Sequence, residues 1–262
     1  MRKALALLLL WALPAGGWAV EGQHACGLMA CDPVTVDLDD RASLQRGARL
    51  FVNYCLSCHS ASYMRYEHVA RDLGIPEELM RGNLMFAAER LGDLMTVAMR
   101  RQDAAEWFGA APPDLTLVTR WRSPAWVYTF LRSFYRDPAA PSGWNNLVFP
   151  NVAMPHVLYE LQGEQRAVYE AGADTARAAE NGQAIETADA MPVLRGLELA
   201  RPGSRKPQEY ASDLRDLTNF LVYLGEPAKL VRYRVGAYVL VFLAVFLFVA
   251  YLLKKEYWKG IH

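Results

Sequence analysis

Hydrophobic and polar positions divide the chain into three stretches. Ala4 to Pro14 is almost wholly apolar, lies behind Met1-Arg2-Lys3, and leads to small residues ending Gly17-Trp18-Ala19. Roughly 10 apolar residues cannot cross a bilayer, which takes about 20. A basic start, a short apolar core and small residues predict a secretory signal peptide over 1–19, cut after Ala19. Val235 to Leu253 is different: 19 residues without a charge. At about 1.5 Å per residue this run matches a hydrocarbon core of about 30 Å and predicts a transmembrane anchor helix. Arg232 and Arg234 precede it, Lys254, Lys255 and Lys259 follow it, and Tyr233, Tyr251, Tyr257 and Trp258 lie near its ends, where aromatic rings favour the membrane interface. Residues 20–228 then form an exported domain, and 254–262 a basic cytoplasmic tail, in keeping with the positive-inside rule.

Within the exported domain the dominant period is helical. Leu44, Ala48, Phe51 and Cys55 recur on one helical face behind the capping candidates Asp39-Asp40. Glu77 to Arg101 reads as helical, with Met80, Met85, Met95 and Met99 as core filler. Tyr210, Leu214, Leu217, Leu221 and Leu224 form an apolar seam that can pack back on the domain before the anchor. Residues 163–207 are rich in Ala, Gly and acidic residues with few large apolar ones, and read as an irregular insertion. No alternation of strands and helices is visible, so the fold class is mainly α.

Composition changes this picture little until it is divided. The 28 basic and 28 acidic residues cancel. Residues 1–19 carry two basic and no acidic residues, 20–228 carry 20 and 27, and 229–262 carry six and one. The exported domain is therefore acidic, between basic ends that belong to export and anchoring. That argues against a nucleic-acid-binding domain, which needs positive charge against phosphates. A 53% hydrophobic content argues against disorder. Four cysteines are too few for a disulfide scaffold.

Those cysteines carry the chemistry. Cys55-Leu56-Ser57-Cys58-His59 is a Cys-x-x-Cys-His string, which reads as a c-type haem attachment site. Two thiols one helical turn apart match the two vinyl groups of a haem, and His59 follows where its imidazole reaches the iron. Covalent attachment suits an exported carrier that would otherwise lose its cofactor. A zinc site would need a second ligand pair, and only Cys26 and Cys31 remain. A thioredoxin-like thiol pair would want a parallel sheet. Cys26 and Cys31 lie in a short segment and are expected to pair as a disulfide; lipid attachment at Cys26 is a poorer reading.

The second axial position has several candidates. His68 and the methionines of 77–101 are weaker ones. Met154 lies in Phe149-Pro150-Asn151-Val152-Ala153-Met154-Pro155-His156, a loop held by prolines. A loop methionine reaches an iron without giving up a helix contact. Met191, also before a proline, is second and His156 third. A thioether ligand raises the reduction potential relative to a second histidine.

These strings together resemble the cytochrome c1 family, the haem subunits of cytochrome bc1 complexes, in its bacterial form. Asn53 to Ser60 looks like the attachment helix, Trp107 to Leu115 with Pro112-Pro113-Asp114 like the family's Pro-Pro-Asp-Leu turn, and Phe149 to Pro155 like its axial-methionine loop. The uncharged span with Lys254-Lys255-Glu256-Tyr257-Trp258-Lys259 looks like its anchor. The likeness covers about 40–160 and 207–262. It implies one haem c held covalently by Cys55 and Cys58, with His59 and Met154 on the iron. It also implies Arg120 against a haem propionate and Pro112 at the haem edge, where a turn precedes a helix starting near Asp114. An arginine holds a carboxylate bidentately. The family's insertion often holds cysteines and this one has none. The implied function is single-electron transfer from a Rieske iron–sulfur protein to a c-type cytochrome, beside a cytochrome b subunit in a dimeric, membrane-bound quinol–cytochrome c oxidoreductase. No bond-making chemistry falls to this chain. The haem domain would face the bacterial periplasm, single-pass in the inner membrane. The haem subunit of another respiratory oxidase or reductase is the alternative.

Overall fold

The computed structural model describes residues 26–27, 29–170 and 193–260; the signal-peptide segment 1–19 and Met191 lie outside the described residues. Helix α1 (Arg41–Leu50) starts where the Asp40 carboxylate accepts the Ser43 N–H at 2.9 Å, one of the donors a helix start leaves over. It continues into a π-helical turn, Phe51–Cys55, closed by the Leu56 N–H on the Phe51 carbonyl at 2.9 Å. Such turns add a residue to the helical period and recur at functional sites. Leu44, Ala48, Phe51 and Cys55 are all buried, so the extra residue does not rotate Cys55 off the core face.

The other main core helix, α8 (Pro207–Gly225), lies late in the chain. Its first turn is fixed by Pro207 and by the Glu209 carboxylate, which accepts the Lys206 N–H at 3.0 Å. The whole apolar seam from Tyr210 to Leu224 is buried. Helices α1 and α8 meet at Gly47, where a Cβ would stand 2.1 Å from the Asp216 carbonyl oxygen; only glycine permits that approach. Phe51 and Phe220 pack beside the crossing with ring centroids 5.6 Å apart. The crossing also holds a buried carboxylate. Asp216 accepts from Ser43 Oγ at 2.6 Å and Arg46 Nε at 2.5 Å, and Asn219 Nδ2 donates to Ser43 Oγ at 2.8 Å. A buried charge is tolerated because both its oxygens have partners.

Shorter elements cover this pair. Strand β1 (Ala61–Arg65) leads into α2 (Tyr66–Leu73), which ends at Gly74 with φ +67°, and then into α3 (Glu77–Asn83). The predicted helix over 77–101 is corrected here: it stops at Asn83. The chain turns where the Asp93 carboxylate accepts the Glu89 and Arg90 N–H groups. Strand β2 (Leu94–Met95) then pairs antiparallel with β1. Gly82-Asn83 and the Arg90–Asp93 turn outweigh the helical period. Met80, Met85 and Met95 are buried all the same. After α4 (Arg101–Phe108) the segment 110–117 is irregular. The expected helix near Asp114 begins at Val118, as α5 (Val118–Arg122), because Asp114 is spent on a turn described below. Next come α6 (Pro124–Arg132) and the hairpin of β3 (Phe134–Arg136) with β4 (Trp144–Asn146).

The insertion is corrected as well. After α7 (Tyr159–Gln162), its described flanks form a two-stranded antiparallel sheet, β5 (Gly163–Glu170) with β6 (Val193–Pro202). Leu197-Glu198-Leu199 alternates at the strand period, and Arg166, opposite Glu198, pairs with it at 2.9 Å. The mainly helical class stands, with this hairpin added. Helix α9 (Lys229–Tyr257) contains the predicted span and extends beyond it at both ends; its most apolar 18 residues have a mean hydropathy of 2.6, and none of them is buried by the rest of the chain. Cys26 and Cys31 form the expected disulfide.

Candidate haem site

The π turn delivers Cys55 to a tight turn in which the Cys58 and His59 N–H groups both donate to the Cys55 carbonyl, at 3.1 and 2.8 Å. Cys55 is buried and Cys58 half-buried, and both are free thiols. Burial pushes the Cys55 thiol up to about 12, helped by Cys58, so it stays neutral. His59 Nδ1 stands 2.8 Å from the Pro113 carbonyl oxygen. A carbonyl only accepts, so Nδ1 carries the proton and Nε2 keeps its lone pair for a metal. Burial lowers the His59 pKa against the opposing pull of Pro113 and Asp114, which keeps the ring neutral, the form that ligates.

Pro113 holds His59 because its own segment is fastened down. The Leu115 N–H donates to the Ser60 carbonyl at 2.8 Å, and the Asp114 carboxylate accepts Ser62 N–H at 2.8 Å and both groups of Thr116 at 2.8 and 2.5 Å. Burial pushes the Asp114 carboxyl up, but the donations from Thr116 and Ser62 outweigh it and hold the carboxyl below its usual range. Residues 113–116 thus lie against 60–62 like a short brace.

Met154 sits half-buried in irregular chain between β4 and α7. Both ends of its loop are anchored. At the front, the fully buried Asn146 accepts from the Val148 and Phe149 N–H groups at 2.9 and 3.1 Å and donates to the Phe130 carbonyl at 2.8 Å. Asn145 accepts the Asn151 N–H at 2.8 Å and donates to Asp137 at 2.8 Å. Asn151 takes the left-handed conformation, φ +59°, which asparagine tolerates better than most residues. At the rear, His156 is 2% exposed. It stacks on Phe134 at 5.0 Å and stands edge-on to Trp144 at 5.1 Å. Burial pushes its pKa down to about 4. His156, a third candidate ligand in the sequence, is enclosed between aromatic rings.

The remaining predicted residues are less committed. Pro112 is half-buried just before Pro113, and Arg120 is exposed on α5, its side chain without an ion pair among the described residues. His68, half-buried on α2, lies 3.7 Å from Glu67. Sequence reasoning did not single out Pro113, whose carbonyl meets His59, and it missed Asn145 and Asn146. Their signal was two adjacent amides between a tryptophan and an apolar run. The donor set fits a covalently held haem: two unpaired thiols a helical turn apart, an imidazole with a free Nε2 and a thioether on a braced loop.

The Cytochrome C1 family matches residues 34–261. The chain is 51% identical to the cytochrome c1 of Allochromatium vinosum over the full length of both. It is 44% identical to a protein of Nitrosomonas europaea named ammonia monooxygenase gamma subunit, over 88% of each chain. It is 27% identical to the cytochrome b/c1 of Bradyrhizobium diazoefficiens, over 85% of this chain and 34% of that protein.

Proposed function

The chain belongs to the cytochrome c1 family, and from that premise we propose that Cys55 and Cys58 hold one haem c through thioether bonds while His59 and Met154 fill the axial positions of its iron. Members of this family carry covalently bound haem c and serve as the electron-transfer subunit of the cytochrome bc1 complex, with cytochrome b and Rieske subunits as partners. The single observation that carries the site reading is the His59 Nδ1 contact with Pro113, which leaves Nε2 as the only ring atom able to ligate. When bound, the haem iron supplies a one-electron couple. Around it, the Pro113 carbonyl holds the His59 imidazole and the braced loop carries the neutral Met154 sulfur; with both bound to the iron, oxygen would find no open site. Arg120, exposed and uncommitted on α5, is proposed to pair with a haem propionate, and Pro112 to lie at the haem edge.

The electron path proposed is Rieske protein to haem to a c-type cytochrome, in a dimeric complex. A relative whose name joins b and c1, and of which this chain covers a third, supports cytochrome b as a partner. The long exposed apolar helix fits a single-pass membrane anchor. The basic residues after it support a periplasmic haem domain with the C-terminus in the cytoplasm. The acidic domain would steer a basic acceptor, so that electron transfer slows as ionic strength rises; a rate indifferent to salt would count against this.

The test begins with a peroxidase stain of the denatured polypeptide: covalent haem is expected, and no stain refutes the site. Replacing Met154 with leucine is expected to lower the reduction potential substantially. An unchanged potential and spectrum would assign the ligand to Met191 or His156. Mild-detergent purification should bring down cytochrome b and the Rieske protein with quinol-dependent cytochrome c reductase activity. The Nitrosomonas relative's name favours one second reading, a haem subunit of a different redox enzyme, and co-purification with that enzyme's core instead would establish it.

A further inference from the structure

A second cleft lies where the domain meets its anchor, away from the axial residues. It has a volume of about 660 Å³, within the range of small-molecule sites. Its walls come from the start of α1, the end of α2 and the first turns of α9. Three arginines line it: Arg41, Arg71 and Arg234. Two carboxylates also line it. Asp72 is already engaged, accepting from Tyr223 Oη at 2.8 Å and Arg71 Nε at 3.0 Å. Asp39 offsets one of the other two arginines. Arg41 and Arg234 form no side-chain hydrogen bond or ion pair among the described residues, and the lining as a whole carries net charge +1 with His68 neutral.

The apolar part of the wall decides what kind of anion fits. Leu230 and Val231 line the cleft one turn before Val235, where the uncharged span begins. The cleft therefore opens at the level where a bilayer presents its headgroups, with cationic heads beside a surface that continues into the hydrocarbon. A free phosphate would satisfy the arginines and leave that surface bare. We propose that this cleft binds the headgroup of an anionic phospholipid, its phosphate between Arg41 and Arg234 and its acyl chains along the first turns of α9. Guanidinium groups suit this task, since they pair bidentately with phosphate oxygens and are weakly hydrated.

The inference rests on the reading of α9 as a membrane span, and its test keeps the two apart. The intact complex is placed in nanodiscs of phosphatidylcholine alone or with increasing phosphatidylglycerol, and amide deuterium exchange is followed. Exchange over 38–44 and 227–234 is expected to slow as phosphatidylglycerol rises. The R41Q/R234Q double variant is expected to need about 30-fold more of it for the same protection, at roughly a factor of five per basic residue near a membrane surface. Equal exchange in both lipids would overturn the proposal and mean that a neighbouring subunit fills the cleft. Protection that survives in the double variant, or that inorganic phosphate reproduces in phosphatidylcholine discs, would overturn it too. Residues 240–250 report separately: protection there in every disc upholds the span, and rapid exchange refutes the span itself.

Discussion

Replacing Asn146 with alanine isolates the brace under Met154. The side chain is fully buried and serves three main-chain groups. The Phe130 carbonyl keeps other donors, the N–H and Oγ of Ser133 at 3.3 and 3.2 Å, and the half-exposed Phe149 N–H can turn to water. Val148, 5% exposed, is left with a stranded donor. A buried unpaired group costs about 1–3 kcal/mol and each lost hydrogen bond about 1 kcal/mol, so the closed loop should weaken by about 3 kcal/mol. With Met154 on the iron as proposed, and at about 1.4 kcal/mol per decade, the population in which it swings off should rise about 150-fold. That population is readable, because an external ligand such as imidazole binds the ferric iron only when the methionine is away. Its apparent dissociation constant scales inversely with the open fraction and should fall by up to about 150-fold. A change below about threefold, in a variant that still folds and carries haem, would refute the assignment of Asn146 as the loop's anchor.

Other outcomes follow from neighbouring features. Gly47→Ala places a Cβ against the Asp216 carbonyl, a backbone atom that cannot move aside, so the thermal midpoint should fall by the equivalent of about 3 kcal/mol; its imidazole affinity should stay near wild type, separating a global loss from loop opening. Asn151→Gly should be nearly neutral and Asn151→Ala should cost about 1 kcal/mol, measured by denaturant titration, because φ is +59°. For His156, the folded pKa of about 4 lies below the unfolded 6.5. The unfolded chain therefore binds the extra proton, and this contribution is present above pH 6.5 and lost as pH falls towards 4, amounting to about 3 kcal/mol. Thermal midpoints between pH 7 and pH 4.5 should show that decline, and His156→Phe, which keeps the stack on Phe134, should flatten it.

The attachment segment was legible because it is local: Cys55, Cys58 and His59 need only a turn to come together. Met154 was singled out by the prolines of its loop, and its place on the iron is a proposal. The helical periods of α1 and α8 also read true, since each buries one continuous stripe. What could not be read depends on contacts between distant residues. Pro113 matters because its carbonyl meets a side chain 54 residues earlier. Asn145 and Asn146 matter because they replace secondary structure as partners for a loop's amides. Glu77 to Arg101 misled because methionine and leucine fill a core equally well from a helix or from a turn. The hairpin of β5 and β6 was overlooked because its alternating stretch is short and its composition polar.

The junction between α8 and α9 has a mechanical consequence. Only Glu226, Pro227 and Ala228 separate the two helices. The Lys229 N–H donates to the Glu226 carbonyl at 3.0 Å, and the Arg232 guanidinium meets the Glu226 carboxylate. Since α8 is itself packed into the core, the domain is mounted on its anchor by a stiff joint with no slack. With α9 as the proposed membrane anchor, that joint would hold the domain at one height above the bilayer. Any change of distance that electron exchange requires must then be travelled by the molecules on either side of it.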